Sequence, residues 1–135
     1  MRDIANVITV IMRMDNKVVI TEEQFSQYRD TLKRCPEGTL DALRCYRETG
    51  SLEGLSKFLI GCIKRHTEEE YHHLIEANDP KVSFIDDLSI DSMTMIEIVM
   101  MVEECLEIKI DNQDLIKIRS MGDLNTYLAN SHKAL

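Results

Sequence analysis

The chain has no Trp, three Phe and four Tyr, so its core must be built mainly from Leu, Ile, Val and Met. That argues against a sandwich or barrel, which would ask for more β-branched and aromatic alternation, and for a small helical bundle. Two Pro and five Gly leave long uninterrupted segments, as helices joined by short loops require. No apolar run approaches the roughly 20 residues that cross a bilayer. The longest near the N-terminus, IANVITVIM at residues 4–12, lies between Arg2, Asp3 and Arg13. No small-residue cleavage site follows it and Asp15, Asn16 and Lys17 interrupt at once, so neither a membrane span nor a secretory leader is expected. The four cysteines, Cys35, Cys45, Cys62 and Cys105, have no CxxC spacing. They read as buried thiols in a reducing, cytoplasmic compartment.

Basic charge is scarce in one half of the chain. Residues 1–50 carry eight basic and eight acidic side chains, which cancel, whereas residues 51–135 carry eight basic and sixteen acidic ones and hold the whole net charge of −8. Between Asp86 and Asp114 there are nine carboxylates and one lysine. A surface of that kind repels nucleic-acid phosphates and steers in proteins with basic patches.

The 135 residues allow one domain with a modest core plus an appendage. Residues 1–20 form a tail of uncertain order: Ile4, Val7, Ile8 and Ile11 recur at helical spacing, yet Val18, Val19 and Ile20 read as extended. Thr21-Glu22-Glu23-Gln24 is a capping-box pattern that opens a helix running to about Arg34. A second helix, from Thr39 or Leu40 to Glu48, ends at Gly50, so residues 21–50 make a helical extension. Ser51 opens a helix striped by Leu52, Leu55, Leu59, Cys62 and Ile63, which Gly54 and Gly61 weaken unless they admit a close neighbour. A further helix over Thr67 to Ala77 ends at Asn78-Asp79-Pro80. A short helix is predicted around Gln113 to Ile118, and a last one after Ser120-Met121-Gly122-Asp123.

The remaining stretch, Phe84 to Glu107, FIDDLSIDSMTMIEIVMMVEECLE, organises the others. An acidic turn leads to Asp91-Ser92 and then to an apolar run broken by carboxylates at helical spacing. Asp or Ser at the edge of such a run supplies the oxygen that the first unpaired N–H groups of a helix need. Phe84-Ile85-Asp86-Asp87-Leu88-Ser89-Ile90-Asp91-Ser92-Met93 resembles the acyl carrier protein family, whose pattern is an aromatic, acidic residues, Leu-Gly, one variable residue and Asp-Ser-Leu. Thr94 to Leu106 is similar to that family's second helix, Ile108 to Asp114 to its next loop, and Lys117-Ile118 with Gly122-Asp123 to the approach to its fourth helix.

The resemblance implies an all-α, acyl-carrier-like four-helix bundle over residues 51–135, preceded by the extension, as in a specialised family member. It implies that Ser92 carries a 4'-phosphopantetheine arm donated from coenzyme A, and that Asp91 serves recognition by the phosphopantetheinyl transferase. The arm would hold acyl intermediates as thioesters for fatty-acid or polyketide-like biosynthesis. Ketosynthases and other acyl-processing enzymes are the further partners implied, reading Glu97, Met100, Met101 and Glu104. Met93, Ile96, Val99, Leu106 and Ile118 are expected to line an acyl pocket on the inner side of the bundle. Ser89 stands where the family has Gly and must accept the turn conformation that Gly adopts freely. The chain would be a monomer, and a substrate of enzymes rather than an enzyme.

Other readings fit less well. An unmodified helical adaptor for basic proteins is the rival from a different class, and a peptidyl carrier is a nearer one. Cys62, His66, His72 and His73 lack a common zinc spacing. A hydrolase would need a Gly-x-Ser-x-Gly elbow around Ser92, and residues 86–91 lack the ligand alternation of a calcium loop.

Overall fold

In the computed structural model, residues 20–133 are described; the expected tail falls outside them apart from Ile20. Thr21 opens the first helix as its sequence predicts. Its hydroxyl accepts the Gln24 N–H at 3.1 Å, while its own N–H donates to Gln24 Oε1 at 3.1 Å. The helix, α1 (Glu22–Thr31), stops one turn short of Arg34. Helix α2 (Thr39–Thr49) ends on Gly50 at φ 76°, a left-handed C-cap. Ser51 then caps α3 (Leu52–Arg65) by accepting the Gly54 N–H at 3.2 Å.

A 3-10 turn (Glu69–Tyr71) and α4 (His72–Ala77) follow, and Asn78 in the left-handed region closes α4. A loop leads to α5 (Ser92–Leu106), then to α6 (Asn112–Lys117) and α7 (Met121–Lys133). Ser120 and Asp123 form a second capping box: the Asp123 N–H donates to Ser120 Oγ at 3.1 Å and the Ser120 N–H to Asp123 Oδ2 at 3.2 Å. The chain is thus all-α among the described residues, with one isolated bridge between Ser83 and Ser120.

Gly54 and Gly61 let α3 lie directly on α2. A Cβ at Gly54 would meet Ala42 O at 3.0 Å, and one at Gly61 would collide with the Thr39 hydroxyl and meet its Cγ2 at 2.7 Å. Helix propensity is exchanged here for close approach. Thr39, buried beneath Gly61, satisfies its hydroxyl on Pro36 O at 2.7 Å.

The extension shares its core with the rest of the bundle. Tyr28, Leu32, Leu43 and Tyr46 belong to one buried cluster with Leu55, Phe58, Ile98, Val102 and Leu124. Two expectations need correction. On α5 the buried face is Ile98, Val99, Val102, Cys105 and Leu106, whereas Met93, Ile96 and Met100 are 72%, 48% and 60% exposed. α5 is apolar on both faces, so the run alone does not say which one turns inward. Of the four thiols, all free, only Cys62 and Cys105 are buried; Cys35 is half-buried and Cys45 exposed.

Because the core is continuous, a cavity in the extension is felt throughout. Leu43→Ala should cost about 2–5 kcal/mol, as fully buried Leu truncations do, and shift one urea transition of the whole chain. A separate, earlier transition confined to residues 21–50 would contradict the shared core.

Candidate functional site

The loop before α5 is held from beneath. Phe84, Leu88 and Ile90 are buried, and the Ile90 N–H donates back to Phe84 O at 2.9 Å. On the far side the Phe84 N–H donates to Arg119 O and the Met121 N–H to Val82 O, both at 3.0 Å, tying the loop to the start of α7. Asp87 Oδ2 accepts the Ser83 N–H at 2.7 Å and closes the acidic turn. Ser89 has φ 54°, the conformation expected of a residue in the place of Gly. Its hydroxyl lies 3.1 Å from that of Tyr71, so the 3-10 turn braces this strained residue. Neither periodicity nor motif pointed to Tyr71, because the partner lies 18 residues away.

Asp91 is extended, at φ −82° and ψ 173°, and its carboxylate accepts the Thr94 N–H at 2.7 Å. That bond holds the Asp91 carboxyl below the usual carboxylate range. Asp91 is therefore the N-cap and Ser92 the first residue of α5. Ser92 is exposed, and its hydroxyl makes no hydrogen bond among the described residues. A nucleophilic or attachable oxygen thus stands free on the rim of a 15-residue helix, where backbone N–H groups and the helix dipole favour an anion.

From Ser92 an exposed stripe runs down α5 through Met93, Ile96, Glu97 and Met100 to Glu104. Glu97 has a long contact of 3.9 Å to His66 Nε2. Met101 differs from its expected place in that stripe: it is half-buried, with Cys35 Sγ 3.8 Å from its sulfur. Glu104 Oε1 accepts the Thr31 hydroxyl at 3.3 Å.

Of the five expected pocket residues, Val99, Leu106 and Ile118 are buried, while Met93 and Ile96 point away from the interior. Ile118 also lines an open groove of about 510 Å³ beside Pro80, Lys117, Asp123 and Tyr127, away from Val99 and Leu106. The histidines serve the backbone: His66 Nδ1 donates to Cys62 O at 2.9 Å and His72 Nε2 to Lys64 O at 3.1 Å. Burial pushes the Cys62 thiol well up and the Cys105 thiol up to about 12, which leaves both inert.

The family profile described as Phosphopantetheine attachment site matches residues 68–128. The chain is 45% identical over 49 residues to the meromycolate extension acyl carrier protein of Mycobacterium leprae (strain TN), covering 36% of this chain and 43% of that one. It is 43% identical over 49 residues to the protein of the same name from Mycolicibacterium aurum, covering 36% and 50%. To the acyl carrier protein of Acidothermus cellulolyticus (strain ATCC 43068 / DSM 8971 / 11B) it is 36% identical over 52 residues, covering 38% and 62%. The chain thus spans about half the length of these curated relatives. No solved structure matches it.

The Asp91 cap sets a pH dependence. A carboxyl held low in the folded state contributes fully above the unfolded value, about 3.9, and loses its contribution as pH falls through the lower folded value. The exchange of the Met93 and Thr94 amides, taken relative to the intrinsic exchange rate at each pH, should therefore be flat above about pH 5 and rise below the ordinary carboxylate range. Asp91→Asn, which keeps a capping oxygen without a titrating one, should flatten that rise; an unchanged acid response would show that another group caps α5.

Proposed function

We propose that residues 68–128, which match the profile described as Phosphopantetheine attachment site, form an acyl carrier, and that this chain carries acyl intermediates for fatty-acid or polyketide-like biosynthesis on an arm attached to Ser92. The observation that carries the assignment is the free Ser92 hydroxyl at the first position of α5, directly after its Asp91 cap. In the attachment reaction the Ser92 oxygen bonds to the pantetheine-side phosphorus of coenzyme A and gives up its hydroxyl proton, while the phosphoanhydride bond breaks and adenosine 3',5'-bisphosphate leaves. The residues fit the group: the oxygen is open to an enzyme, and the new phosphodiester would lie at a helix N-terminus that favours its charge. When bound, the arm supplies the thiol that holds the acyl group as a thioester, so none of the four cysteines is required.

Asp91 has two compatible roles in this reading. It starts the helix that presents Ser92, and its ionised carboxylate stands beside the attachment point, where a phosphopantetheinyl transferase can use it for recognition. Glu97 and Met100 are the expected contacts that remain most open for the transferase, ketosynthases and other acyl-processing enzymes. Met93 and Ile96 move from the pocket to this contact surface. Val99, Leu106 and Ile118 remain the interior residues against which an acyl chain could lie, at about 0.8 kcal/mol for each CH₂ buried. The chain is acted on by enzymes rather than being one. Four free cysteines agree with a cytoplasmic, reducing location.

Incubation with coenzyme A and a phosphopantetheinyl transferase, followed by intact-mass measurement, tests the proposal. One phosphopantetheine should be added to the wild-type chain and none to Ser92→Ala, with helical content unchanged. Failure of the wild-type chain to load with several transferases would favour the unmodified adaptor instead.

A further inference from the structure

Resting on that carrier reading, we propose that the hairpin of α1 and α2 is a built-in specificity element that engages the C-terminal half of α5 and confines partner enzymes to its N-terminal half. The hairpin meets α5 at successive points. Cys35 covers Met101, the Thr31 hydroxyl reaches Glu104, and Arg47 spans the helix end. One Arg47 nitrogen donates to Cys105 O and to the Tyr28 hydroxyl, each at 2.8 Å, and the other donates to Glu107 Oε2 at 2.9 Å. A cation at that end also suits the helix dipole.

These contacts alter what a partner meets. α5 carries four acidic positions with Glu107 included, and inside the chain three already have donors: Thr31 for Glu104, Arg47 for Glu107, and the Ile110 N–H for Glu103 at 2.7 Å. A long basic track on an approaching enzyme would face a helix end already served by its own chain. The N-terminal half differs. There Met93, Ile96 and Met100 stand exposed along one side of Glu97, whose carboxylate meets among the described residues only the 3.9 Å approach of His66 Nε2. The fitting partner surface is a shallow apolar depression with one basic side chain, set close to the Ser92 attachment point.

Deleting the hairpin cannot test this, since Tyr28, Leu32 and Leu43 belong to the common core. Charge reversals on the exposed stripe can. With full-length chains, coenzyme A and a phosphopantetheinyl transferase as the probe, Glu97→Lys should raise the KM for the carrier about tenfold with little change in kcat, and Ile96→Asp should do the same. Glu104→Lys, at the half already engaged, should change KM by twofold or less. Hydrogen exchange of unmodifiable Ser92→Ala with the transferase bound should show new protection over residues 92–100 and none over 101–107 or 30–35. Normal loading of the wild-type chain with an equal KM rise for Glu104→Lys, or protection extending to residue 107, would overturn the inference and leave the carrier reading intact. No loading and no protection in any chain would overturn both.

Discussion

Where α5 begins is decided by the 2.7 Å bond from the Thr94 N–H to the Asp91 carboxylate. Both Asp91 and Ser92 could cap a helix, and the choice between them fixes the chemistry of the site. Had Ser92 taken the bond, its oxygen would be engaged with the backbone and the helix would start one residue later. With Asp91 as the cap, the serine becomes the first helical residue and its hydroxyl faces outward.

That single choice depends on a loop held by packing rather than by regular structure. Phe84, Leu88 and Ile90 anchor it in the core, the 82–84 segment is tied to the 119–121 segment, and Ser89 takes the left-handed turn that returns the chain to α5. The strain at Ser89 is local, and the Tyr71 hydroxyl beside it comes from the 3-10 turn that the family match also spans.

Much of this was legible in the sequence because it rests on short-range chemistry. The capping boxes at Thr21 and Ser120, the glycine stop at Gly50 and the special backbone of Ser89 each follow from a few adjacent residues. What was not legible depends on partners far along the chain. Met93, Ile96 and Met100 form as good an apolar stripe as Ile98, Val102 and Cys105, and the position of α3 and the extension decides which stripe is covered. Arg47 gave no local sign that it would reach Cys105 and Glu107, some 60 residues away. The same holds for Met101, whose sulfur meets Cys35 of the extension 66 residues away.

The carrier account predicts which of three neighbouring serines bears the arm. Trypsin should release residues 82–109 as one peptide containing Ser83, Ser89 and Ser92. Fragmentation of that peptide after loading from coenzyme A should place the phosphodiester on Ser92 alone. A modified Ser83 or Ser89, or a loaded chain whose Ser92 is unchanged, would contradict the account.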